Sequence, residues 1–242
     1  MTGAQAMILA AGRGERMRPL TDHCPKPLLE VRGKPLMQYH LEALGRAGIR
    51  ELVINTAWLG AQIEGRFGLQ PLWDGHQTLS NSEHMQIRYS HEGRDFGGPL
   101  ETAGGIARAL PLLDDMFWLV GGDVYVPGFA FPRAALDRFA ACGKLAHIFL
   151  VPNPQHNPKG DFGLRPDGVA LRQADTQYTY CTIGLYRKDL FASLPAGNPQ
   201  GLKAPLAPLL RAAMDNGQVT AEIYTGPWTD VGTPERLAQL NR

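Results

Sequence analysis

The sequence predicts an α/β fold with a mostly parallel central sheet and a more antiparallel second part. Short apolar segments alternate with amphipathic stretches over the first 150 residues, as expected for helices packed on the faces of a parallel sheet. Beyond that point, a Pro-Asp-Gly turn at 165–168 separates two strand-like segments and indicates a hairpin. With 242 residues, 44% of them hydrophobic and 19% charged, the chain can bury a large core and does not belong to the disordered class.

The elements of the first half follow from apolar runs and helical spacing. A continuous apolar run at 6–11 predicts a buried strand, and the polar stretch 12–35, rich in Gly, Arg and Pro, predicts a loop. Apolar residues at helical spacing predict a helix from about 37 to 48. We further predict strands at 51–55, 86–89 and 116–120, helices at 60–67 and 102–110, and surface loops at 69–84 and 93–99.

The same criteria give the elements of the second half. A closing helix is predicted at 233–240, because Thr233 is a favourable cap and Pro234 suits the first helical position. No internal repeat or low-complexity linker divides the chain, which favours one domain over residues 1–242. We predict helices near 131–142 and at 206–216, and strands at 145–151, 160–164, 169–172, 178–186 and 220–224.

The charge of the chain limits the ligands that it can attract. The formal net charge is +1, so no bulk field recruits nucleic acid or an anionic membrane. No apolar run reaches the roughly 18 to 20 residues that cross a bilayer, and no basic residue precedes the first apolar run as in a signal peptide. Cys24, Cys142 and Cys181 form no CxxC pair, which favours a reducing compartment. We expect a cytoplasmic protein that holds anionic ligands in a local site.

The stretch after the first strand has the features of such a site. It reads LAAGRGERMRPLTDHCPKPL from Leu9, and Gly12 and Gly14 allow its backbone to approach a phosphate closely. A dinucleotide-binding fingerprint would require Gly where Met17 stands, and no P-loop sequence occurs in the chain. The cations of the stretch are Arg13, Arg16, Arg18 and Lys26, and its carboxylates are Glu15 and Asp22.

The string resembles the signature of the sugar-1-phosphate nucleotidylyltransferases, and three further motifs extend the resemblance. These are PLETAGG from Pro99, GGD ending at Asp123, and WTDVGTPERL from Trp228. The resemblance implies a Rossmann-like nucleotidyltransferase fold, with a nucleotide-binding part at about 1–125 and an antiparallel sugar-binding part at about 126–242. GERMRPLT, IRYSHEG and GDFGL are most similar to the bacterial uridylyltransferases that act on N-acetylmuramic acid 1-phosphate, with mannose-1-phosphate guanylyltransferases next.

The resemblance also implies roles for individual residues. Arg16, Lys26 and Asp123 are expected to be catalytic. Because polyphosphate chemistry normally uses Mg²⁺ held by carboxylates, we expect Asp123 and Asp230 to bind Mg²⁺. Glu92 either accepts the ring N–H of uracil or guanine or is a solvated loop residue. The expected nucleotide-binding residues are Leu9, Ala10, Gly12, Gly14, Glu15, Arg16, Lys26, Glu92 and Gly105, and the expected sugar-binding residues are Gly121, Asn153, Gly160, Asp161, Thr182 and Gly184.

Two departures from the family pattern affect the choice of substrate. Residues 173–175 are Gln, Ala and Asp where many relatives have a Glu-Lys-Pro loop, which weakens a glucose or mannose assignment. Gly121 replaces an Asn, and the insertion at 94–98 lies beside the expected base pocket. We therefore expect Mg²⁺-dependent transfer of a uridylyl group from UTP to N-acetylmuramic acid 1-phosphate.

Three alternatives stay open at this stage. The first is a mannose-1-phosphate guanylyltransferase or another enzyme of the same family. The second is a non-catalytic nucleotide-binding subunit, against which the intact Arg16, Lys26, Asp123 and Asp230 argue. The third is a phosphocholine cytidylyltransferase, which requires an aromatic cage; its candidates are Tyr178, Tyr180 and Trp228.

Overall fold

The computed structural model describes residues 4–71 and 85–242, and these form an α/β/α arrangement around one large twisted sheet. The helices are α1 Leu36–Arg46, α2 Gly60–Phe67, α3 Glu92–Phe96, α4 Glu101–Ala109, α5 Arg133–Cys142, α6 Leu206–Asp215 and α7 Pro234–Leu240. The strands are β1 Gln5–Ala10, β2 Glu30–Val31, β3 Lys34–Pro35, β4 Glu51–Thr56, β5 Gln86–His91, β6 Met116–Gly121, β7 Val124–Tyr125, β8 Ala146–Val151, β9 Phe162–Leu164, β10 Ala170–Leu171, β11 Gln177–Arg187, β12 Val219–Ile223 and β13 Thr229–Asp230.

The central sheet is mostly parallel in its first part and mostly antiparallel in its second, as predicted. β1 lies between β4 and β6 and is parallel to both, and β5 continues the parallel part beyond β4. β11 is antiparallel to β6, β8 and β9, whereas β12 is parallel to β8. The carboxyl ends of β1, β4 and β6 therefore meet at one edge of the sheet, where ligands bind in open α/β folds.

The two faces of the sheet carry separate cores because successive strand residues point to opposite faces. In β1, Ile8 packs on the face covered by α1, α2 and α5, whereas Met7 packs on the face covered by α4 and α6. A third, smaller cluster joins the stretch after β1 to β7 through Met17, Tyr125 and Val231, and Leu237 of α7 packs against it. This third cluster fixes the loop that carries most of the predicted phosphate-binding residues.

Most predicted elements are confirmed within one or two residues, including α2, which spans 60–67, and the Thr233 cap of α7, whose side chain accepts from the Arg236 N–H. The predicted loop at 93–99 is wrong, because Glu92–Phe96 forms α3. The predicted loop at 12–35 contains three short 3-10 helices and the β2–β3 hairpin. Most of the predicted loop at 69–84 lies outside the described residues.

Within residues 4–71 and 85–242, no helix has the length and apolar character that crossing a membrane requires.

Candidate active site

A cavity of about 270 Å³ opens at the carboxyl end of β1, between the ends of β4 and β6. The backbone of β1 and of the loop that follows forms one wall, and α3 and the start of α4 close the opposite side. Eight of the residues expected at the site line this cavity together: Leu9, Ala10, Gly12, Lys26, Glu92, Gly121, Asp123 and Thr182. The structure therefore brings together residues that are up to 173 positions apart, from Leu9 to Thr182.

Lys26 and Asp123 form an ion pair at the edge of the cavity, with Lys26 Nζ 2.7 Å from Asp123 Oδ2. The Lys26 side chain is only 10% exposed, whereas the Asp123 side chain is 42% exposed. Pro25 and Pro27 bracket Lys26 in a short 3-10 helix, so the backbone that carries the ammonium group is stiff. An ion pair that is open on its carboxylate side can accept an anion at the lysine and a cation at the aspartate.

A second recess, of about 240 Å³, lies beside the first and shares Gly12, Lys26 and Asp123 with it. Its remaining walls include the backbone turn at Gly14, which has a φ of 69°. Only glycine adopts this conformation readily, and a Cβ here would lie 3.0 Å from Thr21 Cγ2. The other predicted residues that line it are Glu15 and Arg16.

The four cations of this loop have different partners. Arg13 and Arg18 both pair with Asp22, at 3.1 and 2.7 Å. Arg13 also stacks on Trp58, with 3.7 Å from its guanidinium carbon to the ring centroid. Both arginines therefore brace the loop, whereas Arg16 has no ion pair with any described residue and lines the recess. Arg16 and Lys26 are consequently the cations best placed for a polyphosphate.

Glu92 is fully buried, so its alternative interpretation as a solvated loop residue is wrong. Its Oε1 accepts from Asn55 Nδ2 at 2.6 Å, and its Oε2 accepts from the Leu100 N–H at 2.7 Å. Asn55 Oδ1 in turn accepts from the Ala10 N–H at 2.8 Å. Burial raises the pKa of the Glu92 carboxyl above its ordinary value. The chain of hydrogen bonds from Ala10 to Leu100 fixes three walls of the cavity relative to one another.

Asp123 directly precedes β7, and Asp230 ends β13. Because β13 pairs with β7, Asp230 lies opposite Val124, the neighbour of Asp123. The Val231 N–H donates to the Asp123 carbonyl at 3.1 Å. Arg236 Nη1 binds Asp230 Oδ2 at 2.7 Å, and His156 Nε2 lies 3.4 Å from the same oxygen. The second carboxylate oxygen of each aspartate, Oδ1, has no hydrogen bond from any residue in the described ranges.

These two carboxylates fit a divalent cation that prefers oxygen ligands. Each aspartate has one oxygen in an ion pair and one that is available to a metal, and Mg²⁺ typically takes one or two carboxylates together with phosphate oxygens and water. Among the described residues, no cluster of three or more His, Cys, Asp or Glu side chains forms a complete protein cage. The arrangement therefore suits a metal that is shared with a phosphate ligand.

A larger cavity, of about 520 Å³, adjoins the first and shares Leu9, Glu101, Thr102 and Thr182 with it. Strands β9 and β11 and the first two turns of α6 form its other walls. Of the residues expected to bind the sugar, Asp161 and Thr182 line this cavity.

Thr182 and Gly121 fit together where the cavities meet. Thr182 has a φ of 60° at an irregular point in the pairing of β11 with β8. A Cβ on Gly121 would lie 2.7 Å from Thr182 Oγ1 and 3.0 Å from Asp123 Oδ1. The absence of a side chain at position 121 therefore makes room for both polar groups.

The remaining predicted residues line none of these three cavities. Gly105 packs against Glu92, and a Cβ on Gly105 would clash with Glu92 Oε1. Gly184 lies inside the sheet against the His147 carbonyl. Asn153 donates to the Gln177 carbonyl at 2.9 Å. A Cβ on Gly160 would lie 2.8 Å from Asn153 Oδ1, so this pair shapes the loop before β9.

Two parts of the site were missed or misread from the sequence. Asn55 was missed, although its place at the carboxyl end of a strand beside β1 is a signal that could have found it. The aromatic cage that the cytidylyltransferase alternative requires does not form from its candidates, because Trp228 packs on one face of the sheet and Tyr178 and Tyr180 pack on the other. Trp228 Nε1 instead donates to the Cys181 carbonyl at 3.1 Å.

The fold and the site define a nucleotidyl transferase. A family model described as nucleotidyl transferase matches residues 5–167, from β1 through the site to the β9–β10 turn. The chain belongs to this family.

Comparison with individual proteins narrows the position of the chain within the family. It is 45% identical to the N-acetylmuramate alpha-1-phosphate uridylyltransferase of Neisseria meningitidis, over 97% of this chain and 96% of the relative. It is 35% identical to the UTP–glucose-1-phosphate uridylyltransferase of Synechocystis, over 94% of this chain and 60% of the relative. The crystal structure of a putative glucose-1-phosphate thymidylyltransferase from Bacillus anthracis has the same fold, with a TM-score of 0.76 at 18% identity and coverage of 98% and 94%.

Proposed function

We propose that the protein transfers the uridylyl group of UTP to N-acetylmuramic acid 1-phosphate, giving UDP-N-acetylmuramic acid and pyrophosphate. The 45% identity to a relative with this printed activity, over nearly the whole length of both chains, supports the choice of sugar. The two curated relatives described above are each named as uridylyltransferases, which supports UTP. Three free cysteines, Cys24, Cys142 and Cys181, are consistent with a reducing cytoplasm.

The 270 Å³ cavity is the proposed nucleotide site. The backbone of Leu9 and Ala10 forms the wall for the base and ribose, and Glu92 supplies a carboxylate beside them. Each oxygen of Glu92 already accepts one hydrogen bond, but a carboxylate oxygen can accept two. A ring N–H, as in uracil or guanine, can therefore donate to Glu92, whereas the bare ring nitrogen of cytosine would face a lone pair.

The proposed reaction is an in-line displacement that needs no covalent intermediate. A phosphate oxygen of the sugar phosphate attacks the α-phosphorus of UTP, and the bond from that phosphorus to the bridging oxygen of pyrophosphate breaks. Lys26 stabilises the charge on the α-phosphate, and Arg16 with the backbone N–H groups of Gly12–Arg16 binds the departing pyrophosphate. Asp123 and Asp230 would hold Mg²⁺, which supplies further neutralisation of the phosphate oxygens.

The observation that carries the proposal is the position of the Lys26–Asp123 pair. Both residues line the 270 Å³ cavity and the adjoining 240 Å³ recess, so a triphosphate can extend from one into the other past this pair. The 520 Å³ cavity opens from the first through Thr182, on the side where an incoming sugar phosphate can be accommodated.

The test is pyrophosphate release by the full-length protein with Mg²⁺ and four nucleoside triphosphates, each combined with several sugar 1-phosphates. We expect the highest kcat/KM for UTP with N-acetylmuramic acid 1-phosphate. Turnover with GTP and mannose 1-phosphate but not with UTP would support the guanylyltransferase alternative instead. Inactivity in every combination, with nucleotide binding retained, would support a non-catalytic nucleotide-binding subunit.

A further inference from the structure

The 520 Å³ cavity contains a cation whose role the reaction does not explain. Arg211 lies on the second turn of α6 and lines this cavity beside Leu210. Its side chain forms no ion pair or hydrogen bond with any residue in the ranges 4–71 and 85–242. By contrast, Arg172, which follows β10, pairs with Asp215 at the end of the same helix, at 3.2 Å. Arg211 is therefore a guanidinium at a cavity wall that is available to a ligand.

Neither of the two carboxylates that line the cavity, Asp161 and Glu101, forms an ion pair with Arg211. Asp161 Oδ2 accepts from the Tyr180 N–H at 2.8 Å, and its Oδ1 accepts from Asn157 Nδ2 at 3.2 Å. Glu101 lies at the junction with the nucleotide cavity. Among the described residues that line the 520 Å³ cavity, Arg211 is the only cation.

The rest of the wall near Arg211 is largely apolar, with Phe162, Leu206 and Leu210 contributing to it. A ligand that suits this wall has an anionic group beside methyl or methylene groups. An arginine binds a carboxylate in a bidentate manner, and a low local dielectric strengthens the contact. The sugar in the proposed reaction has this combination, because N-acetylmuramic acid carries a lactyl ether with a carboxylate and a methyl group. N-acetylglucosamine is the same sugar without the lactyl group.

We propose that Arg211 binds the lactyl carboxylate of N-acetylmuramic acid 1-phosphate and so selects this substrate over sugar phosphates that lack a carboxylate. The inference rests on the proposed function, since it requires that the muramic acid derivative is a substrate. Specificity for the sugar then depends on a residue of α6 that lies outside the nucleotide-binding site.

The test compares Arg211→Gln with the wild-type protein, using UTP and either N-acetylmuramic acid 1-phosphate or N-acetylglucosamine 1-phosphate. Loss of a hydrogen bond to a charged group lowers kcat/KM by about tenfold to a hundredfold. We expect a loss of this size with the muramic acid derivative, mainly through KM for the sugar, and no change with N-acetylglucosamine 1-phosphate or in KM for UTP. Arg211→Lys should lose less, because it keeps the charge without the bidentate geometry.

Arg172→Gln is the matched control, since it removes an exposed arginine that is paired with the same helix; both sugars should react as in the wild type. An equal loss with both sugars would show that Arg211 binds a group common to both substrates, such as the phosphate, and would overturn the inference. Unchanged kinetics with both sugars would also overturn it. If the wild-type protein turns over other sugar phosphates but not N-acetylmuramic acid 1-phosphate, the proposed function itself fails and the inference fails with it.

Discussion

Lys26 Nζ and Asp123 Oδ2 are 2.7 Å apart although 97 positions separate the two residues in the sequence. The loop after β1 supplies the lysine, and the turn that follows β6 supplies the aspartate. The sheet makes the contact possible because β1 and β6 are parallel neighbours whose carboxyl ends coincide. The pair thus joins a group that can hold an anion to a group that can hold a cation.

Replacing Lys26 by Ala should lower kcat by on the order of a hundredfold to a thousandfold, as for the loss of one preorganised charge-stabilising group. The fold should be little affected, because Asp123 is 42% exposed and its freed carboxylate can be hydrated. Steady-state kinetics and thermal unfolding measure the two effects. Lys34→Ala is the control, since it breaks an ion pair of the same length, to Glu42, away from the site. Equal kinetics for the two variants would contradict the role of Lys26.

Replacing Asp230 by Asn should raise the Mg²⁺ concentration required for half-maximal pyrophosphate release by about tenfold or more. The substitution removes one of two carboxylates placed to hold the metal, while an amide oxygen can still accept from Arg236. Asp137→Asn is the control, because this exposed aspartate pairs with Arg133 on the surface of α5. Chelation of Mg²⁺ should abolish activity in the wild type. A Mg²⁺ titration that is the same for Asp230→Asn and the wild type would exclude Asp230 as a ligand.

Replacing Gly121 by Ala should lower kcat/KM by about tenfold or more, because the added methyl group would displace Thr182 or Asp123. Combining it with Thr182→Gly should recover part of the activity, since glycine removes the hydroxyl and tolerates the positive φ. Additive losses in the double variant would show that the two positions are independent. Gly65→Ala is the control in α2, where a Cβ meets no atom within 4 Å; it should keep full activity.

His147 should make the protein less stable in acid. Burial lowers the pKa of His147 from 6.5 to about 4. Its Nε2 has no hydrogen-bond partner among the described residues, and Glu222 Oε2 lies 3.7 Å from it, beyond hydrogen-bond distance. Above pH 6.5 the imidazole is neutral in both folded and unfolded chains, so its contribution to stability is fully present. As the pH falls toward 4, only the unfolded chain takes up the proton, and about 3 kcal/mol is lost.

Chemical denaturation of the wild type and His147→Gln between pH 7 and pH 4 measures this loss. The variant should be less stable at pH 7, where the packing of the imidazole is missing, but its stability should fall less steeply with acid. His40, also buried and with a pKa of about 4, should account for much of the dependence that persists. Parallel pH profiles for the two proteins would rule out His147 as a contributor.

The elements that depend on local pattern were predictable from the sequence. The periodicity of α2, the cap of α7 and the position of Asp123 after an apolar strand each follow from a few adjacent residues. The short helix α3 was not predictable in this way. Its sequence, EGRDF, has no apolar periodicity, and its start depends on the burial of Glu92 against Asn55 and Leu100.

The partners of charged residues were the least predictable part of the site. The sequence shows four cations in the loop after β1, but it does not show that Arg13 and Arg18 share Asp22 while Arg16 faces the recess. The contact between Asp230 and Arg236 needs the turn between β13 and α7, and the role of Asn55 needs β4 beside β1. These are long-range or geometric relationships that residue spacing does not encode.

The most direct test of uridylyl transfer follows the α-phosphate itself. The wild-type protein is incubated with Mg²⁺, UTP labelled at the α-phosphorus and N-acetylmuramic acid 1-phosphate, and the products are separated. The label should move into UDP-N-acetylmuramic acid, with one pyrophosphate released for each label transferred and almost none transferred by Lys26→Ala. Label that stays in UTP, or that accumulates as UMP whether or not the sugar phosphate is present, would contradict the proposed function.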